Sequence, residues 1–217
     1  MRTLAHTYRQ LFSNKTYLFA FFSGMLLFVG SLFINFYAGL YATERASNSV
    51  TDIILSNIRV YDVDGAFIYG TGMLFFLILF LCIYQPRWFP FMSKSIGLFI
   101  IIRSVFISLT HLGPFPTHVI INPLSMINLF SFGADLFFSG HTGIPFLVGL
   151  LFWEQPILRV LFITISLFFG VVVLLGHLHY SIDVLSAFFI TYSIYHICLV
   201  FFKKDRQIFM QGIEAVQ

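Results

Sequence analysis

Charge is what this sequence has least of. Only 10% of its 217 residues are charged, against 59% hydrophobic residues and 30 phenylalanines. A soluble globular domain carries about a quarter charged residues, so water cannot be the main solvent of this chain and no nucleic-acid partner is expected. Cysteine is nearly missing as well: Cys82 and Cys198 both lie inside apolar runs and say nothing about redox compartment. Internal repeats and low-complexity tracts are absent, as are HExxH spacing and cysteine ligand pairs, so neither a metal nor another cofactor is expected. The longest polar interval, Ala42 to Ala66, has room for a short interfacial helix but is too small for a core of its own, which leaves one domain over 1–217.

What is present is a series of long apolar runs. Spanning helices are expected near Tyr17–Tyr41, Phe67–Tyr84, Ile96–His111, Gly143–Trp153, Ile157–Gly176 and Ile182–Phe202. The fourth is short unless it starts around Leu136. The fold class is therefore an all-α membrane protein, a bundle of six transmembrane helices. The first run is too long for a secretory signal and lacks a small-residue cleavage site, so it is expected to stay as an uncleaved span. Both termini are placed in the cytoplasm by the basic residues: Arg2, Arg9, Lys15, Arg87, Lys94, Arg159, Lys203, Lys204 and Arg206 then face inward, with only Arg45 and Arg59 outside. The loop 113–138 and the turn 176–180 then lie on the exoplasmic side.

Those two connections hold the polar residues that an apolar chain does not need for packing. The first reads SFGADLFFSGHTG, Ser131 to Gly143, and the second GHLHYSIDV, Gly176 to Val184. Ionisable groups near membrane depth are costly and normally mark a functional site. His179 and Asp183 are four apart, so on a helix they share a face, and the carboxylate can orient the imidazole as nucleophile or general base. His141 supplies a second proton-transfer group. Ser139, Gly140, His141 and Thr142 have the form of a helix start, with serine as cap and free backbone N–H groups suited to phosphate. Asp135 is either a loop cap or a partner for His141. His177 is either a ligand or a residue facing the lipid headgroups, and Arg103, inside the third run, either snorkels to an interface or reaches a bound phosphate. His118 and His196 are read as packing residues. A zinc site from His141, His177, His179 and Asp183 is conceivable from its donor types, but it lacks the supporting spacing.

SGHT followed by HYSIDV resembles the sphingomyelin synthase branch of the type 2 phosphatidic acid phosphatase superfamily, in which Cys-Gly-Asp-x-x-x-Ser-Gly-His-Thr precedes His-Tyr-Ser/Thr-x-Asp-Val. Here the first motif runs Gly133-Ala134-Asp135 to Ser139-Gly140-His141-Thr142 and the second His179-Tyr180-Ser181-Ile182-Asp183-Val184. Gly113-Pro114-Phe115-Pro116 is a looser echo of the family's Leu-Pro-x-Pro, so the resemblance covers about 103–202. Two departures stand out: Gly-Ala replaces Cys-Gly, and Ser193 stands where the family has the Arg of Thr-Thr-Arg.

The resemblance implies a catalytic set of His141, His179 and Asp183, with Asp135, Ser139, Gly140, Thr142, Tyr180, Arg103 and His177 binding substrate or supporting that set. It implies transfer of a phosphorylated headgroup from a glycerophospholipid donor to a lipid alcohol, ceramide or a diacylglycerol-type acceptor, through a phosphohistidine. The implied location is the exoplasmic face of a membrane; the lack of an appended domain suits a bacterial cytoplasmic membrane or a minimal secretory-pathway enzyme, and the former is expected. Water as acceptor would make the same site a lipid phosphate phosphatase or a phospholipase C. The phosphatase pattern of Lys-x6-Arg-Pro, Pro-Ser-Gly-His and Ser-Arg-x5-His-x3-Asp is broken by Phe138 and by Val172-Val173. A six-helix transporter is the non-enzymatic alternative, but the two halves of the chain lack the paired helix interruptions it calls for.

Overall fold

The computed structural model describes residues 4–118 and 136–212, and among these all regular structure is helical. In chain order the helices are α1 (Leu4–Phe12), α2 (Lys15–Glu44), α3 (Asp64–Tyr84), α4 (Phe89–Leu109), α5 (Gly140–Leu151), α6 (Pro156–Leu175), α7 (Ser181–Phe201) and α8 (Lys203–Gln211), with a 3-10 turn at Pro86–Trp88 leading into α4. Local chemistry sets their ends. The side chain of Asn14 accepts from the backbone of Thr16 and Tyr17 to cap α2, and Pro86 stops α3 because the residue before a proline is driven out of the helical region. Pro156 opens α6 at a position whose N–H would have no helical partner.

Among the described residues, five helical stretches are long and apolar enough to cross a membrane, namely α2, α3, Pro86–Leu109, α6 and α7, consistent with an integral membrane protein. The fourth expected span, Gly143–Trp153, is the exception. Its helix α5 has 12 residues, about 18 Å at 1.5 Å per residue against a hydrocarbon core of about 30 Å. The reason is that α5 begins inside the bundle. Its first turn lies beside Arg103, which is six residues from the end of α4, and beside Gly170, which is five residues from the end of α6. Non-helical backbone at such depth persists only where protein groups satisfy it. Here Arg103 Nε donates to the Phe138 carbonyl (3.2 Å), and Ser139 N–H donates to the Asp183 carbonyl (3.0 Å).

The core is built around α4, where Phe91, Met92, Phe99 and Ile107 are all buried. α2 lies along it at two glycines: a Cβ on Gly24 would press on Ser93 and Pro90, and one on Gly97 would press on the backbone of Leu27. α1, the start of α2, Pro86–Trp88 and α8 gather at one end of the bundle. Leu11, Tyr17 and Ile208 pack together there, Tyr17 donates to the Pro86 carbonyl (2.7 Å), and Lys94 pairs with Asp205 across α4 and α8 (2.7 Å). The polar motifs lie at the opposite end. There the interval after α2 forms turns rather than the interfacial helix that its length allowed.

Tight packing of α5 makes Gly143 a sensitive position, since a Cβ there would sit 2.6 Å from the Phe99 ring and 2.9 Å from Thr191 Oγ1. Phe99 is fully enclosed, so the ring cannot swing clear. Gly143→Ala should destabilise by about 1–3 kcal/mol, read as a lower thermal midpoint in detergent, whereas Gly30→Ala, with open space around it, should not.

Candidate active site

Two helix starts meet at the motif end of the bundle. α7 begins at Ser181, after the turn 176–180 that follows α6. His179 therefore lies outside the helix, and its contact with Asp183 is made across a helix end rather than along a helical face as the four-residue spacing suggested. Asp183, the third residue of α7, turns back: its Oδ2 accepts from Tyr180 N–H (3.1 Å) and meets His179 Nδ1 at 3.2 Å. The physical reason is the set of unpaired N–H groups at a helix start, which attracts a carboxylate in the first turn. Both side chains are buried. A carboxylate can only accept, so this geometry places the imidazole hydrogen on Nδ1 and leaves Nε2 with a lone pair.

The second start is that of α5. Ser139 caps it as expected, its Oγ accepting from Thr142 N–H at 3.4 Å, and the same residue's N–H is the one bonded to Asp183. That bond joins the two motifs directly. Phe137 and Phe138 approach the helix with φ of 150° and 24°, sparsely populated conformations of the kind that collect at functional sites. Proline could not stand at Phe138, because its ring holds φ near −65°. Gly140 stands at a close approach, since a Cβ there would lie 3.3 Å from Arg103 Nε. Arg103 is thus a buried guanidinium, 6% exposed, facing α5's first turn and also reaching Asn35 of α2 (3.5 Å). It does not snorkel.

His141 follows on α5. Its ring lies between Phe67 of α3 and Phe169 of α6, with centroids 4.3 and 5.9 Å away, and within electrostatic range of His179 and Arg103. Thr142 is fully buried, and its carbonyl accepts from Ser166 (2.7 Å), so it fastens α5 to α6. Asp135 lies outside the described residues. No group of three or more potential metal ligands occurs among the described residues.

Two further expected site residues, His177 and Tyr180, are buried and bonded to neighbouring segments. His177 is 3% exposed rather than turned to the headgroups: its Nδ1 contacts Thr117 Oγ1 (2.6 Å) and its backbone is left-handed at φ 52°. Burial holds its imidazole below the usual histidine range, against an opposing pull from Asp52. Tyr180 is also buried, and its hydroxyl points away from His179 to donate to the Gly113 carbonyl (2.8 Å) while accepting from Val50 N–H (3.2 Å). His118 bonds the Phe115 carbonyl, and His196, expected to be a packing residue, is exposed on α7 with ring contacts to Tyr192 and Tyr195 of the same helix.

Asp52 is the residue that sequence reasoning missed. Its Oδ1 accepts from Ile54 N–H (2.8 Å) and Leu55 N–H (3.0 Å), while its Oδ2 accepts from Ser181 N–H (2.7 Å) and Ser181 Oγ (2.8 Å). The only sequence signal was an aspartate in a polar loop, and its partner is 129 residues away.

The site so defined is a buried histidine–carboxylate pair at one helix start, facing a second helix start with an arginine beside it. Residues 133–199 match the family model described as PAP2 superfamily C-terminal. The match takes in 67 of the 217 residues, including both helix starts, and supports the type 2 phosphatidic acid phosphatase superfamily and a lipid phosphatase or phosphotransferase type of activity. No curated protein and no solved structure matches the chain.

Burial pushes the Asp52 carboxyl upward, but hydrogen bonds from Leu55, Ser181 and Ile54 outweigh it and hold the group below the ordinary carboxylate value. A group depressed in the folded state contributes stability that is complete above its unfolded value, near 3.9, and is lost as pH falls through the lower folded value. Acidification below about pH 4 should therefore lower the melting temperature of the wild type more than that of Asp52→Asn, measured by circular dichroism in detergent.

Proposed function

We propose that this protein transfers a phosphorylated headgroup from a glycerophospholipid to a lipid alcohol such as ceramide, with His179 as nucleophile, Asp183 as its orienting partner and His141 as acid and base. The observation that carries the reading is the buried His179–Asp183 contact at 3.2 Å, which engages Nδ1 and leaves Nε2 for phosphorus. In the first half, the Nε2 lone pair attacks phosphorus and the bond to the diacylglycerol oxygen breaks. That oxygen takes a proton from His141, because a lipid alkoxide is a poor leaving group. In the second half, the acceptor hydroxyl gives its proton to His141 and attacks phosphorus, breaking the P–N bond and regenerating His179.

The phosphoryl oxygens are assigned to α5's first turn and Arg103. Both helix starts offer N–H groups, but α7's already carries the carboxylates of Asp52 and Asp183, whereas α5's is capped by neutral Ser139. One guanidinium suits a phosphodiester, which bears one charge fewer than a monoester. Phe138 in place of the phosphatase proline, with a backbone that proline cannot adopt, points the same way. The rings of Phe67 and Phe169 give His141 apolar walls, which favour an acyl-chain acceptor over water. The basic residues gathered at the other end of the bundle support an exoplasmic site.

The same residues with water as acceptor would give a phosphatase or phospholipase C, which the superfamily match supports equally. Purified protein in phospholipid liposomes with labelled ceramide separates these outcomes. A new phosphosphingolipid is expected. Water-soluble phosphoalcohol alone means a lipase, inorganic phosphate from added phosphatidic acid means a phosphatase, and no lipid turnover removes the enzyme reading.

His179→Ala should abolish transfer while the protein stays folded, and Asp183→Asn should lower kcat by about three to four orders of magnitude through loss of the imidazole's orientation. His177→Ala, whose ring contacts Thr117 and Phe115 of the segment after α4, should cost far less. Turnover retained in both His179→Ala and Asp183→Asn would remove the nucleophile assignment.

A further inference from the structure

The α6–α7 turn that carries His179 has few bonds of its own. Backbone N–H groups of Gly176, His177, Leu178 and His179 reach back to α6, the longest of these contacts being His179 to the Val173 carbonyl at 3.4 Å. Beside the Tyr180 and His177 contacts with the segment after α4, its restraints come from the interval between α2 and α3. Tyr61 N–H donates to the Leu175 carbonyl at the end of α6 (2.9 Å), Val50 N–H donates to the Tyr180 hydroxyl, and Asp52 holds both the N–H and the hydroxyl of Ser181. The interval is itself held to the segment after α4, where Ser47 N–H donates to the His111 carbonyl (2.8 Å) and Gly113 N–H to the Asn48 carbonyl (3.2 Å).

Asp52 differs from the other restraints in being a buried carboxylate, 7% exposed, with four donors on two oxygens. One oxygen is spent on its own turn and the other on the first residue of α7. Ser181 is two residues from His179 and two from Asp183. Fixing Ser181 therefore fixes the register between the imidazole and the carboxylate that closes on it. Charge-assisted bonds of this kind are roughly twice as strong as neutral ones, and a carboxylate at a helix start is further favoured by the helix dipole.

We propose that Asp52 is a positioning residue for the reaction: through Ser181 it sets the start of α7 and thereby the tautomer and aim of His179. The inference rests on the reading of His179 as nucleophile. Asp52 touches neither substrate nor the reacting atoms, so its removal acts on the chemical step and leaves binding alone. Misplacement of a reacting group by about 1 Å can cost about 100-fold.

The test uses the full chain in lipid nanodiscs and two readouts, lipid turnover and ¹⁵N NMR of the histidine rings, with His179 assigned by its loss in His179→Gln. Asp52→Ala should lower kcat by about 10- to 100-fold with KM within about 2-fold, and should shift the His179 ring from the Nδ1–H form towards a tautomer mixture while the histidine signals other than that of His177, which also feels Asp52, hold. Asp52→Asn keeps the shape and part of the accepting capacity and should fall between Asp52→Ala and wild type; Ser181→Ala, which keeps the backbone donor, should be milder still. Asp62→Asn, an exposed carboxylate of the same interval that bonds only Asp64 N–H, should change neither readout. If Asp52→Ala fails to fold, the Asp52→Asn and Ser181→Ala comparison decides.

Unchanged kcat and tautomer in Asp52→Asn and Asp52→Ala would overturn the proposal. So would a rise in KM at constant kcat, or an equal loss in Asp62→Asn. Lipid turnover absent in the wild type would instead sink the functional reading, and the His179 ring signal would still decide whether Asp52 positions it.

Discussion

One backbone hydrogen bond, Ser139 N–H to the Asp183 carbonyl, joins the two helix starts on which the site depends. It satisfies a peptide group that would otherwise be unpaired at depth in an apolar bundle, where water is not at hand. It also sets α5's first turn against α7's first turn, so the histidine of one motif faces the histidine–carboxylate pair of the other. The non-helical approach through Phe137 and Phe138, the arginine bond to the Phe138 carbonyl and the shortness of α5 are all parts of the same solution.

That solution divides labour between helix ends. Every helix start leaves donors without partners, and an apolar protein has few ways to satisfy them. At α7 they are met by carboxylates, one from within the helix and one from the distant interval between α2 and α3. At α5 the cap is a neutral serine, and the cation beside it is Arg103. The electrostatic contrast gives the site a direction: negative groups back the His179 imidazole, and a positive surface lies at the start of α5. A phosphoryl group between the two would meet a lone pair on one side and donors on the other.

The polar interval after α2 has its own place in this arrangement. Too short for a core, it uses its polar side chains and backbone to bracket the turn that carries His179. Tyr180 and His177, which stand inside the polar motif by sequence, belong to this bracket: their side chains reach Gly113, Val50 and Thr117.

The sequence by itself determined the apolar helical character of the chain, most of its long helices, the serine-capped start at Ser139 and the pairing of His179 with Asp183. These follow from composition, run length and short-range spacing, which local physics reads directly. Tertiary structure alone decided the rest. That α5 starts inside the bundle depends on partners from α4 and α7 for its unpaired backbone. That Arg103 turns inward goes with a bond to a carbonyl 35 residues further along the chain, and that Asp52 holds Ser181 depends on a contact spanning 129 residues. No local pattern encodes such pairings, because they arise only when helices far apart in the chain bring their unsatisfied donors and acceptors together in a medium that offers no other partner.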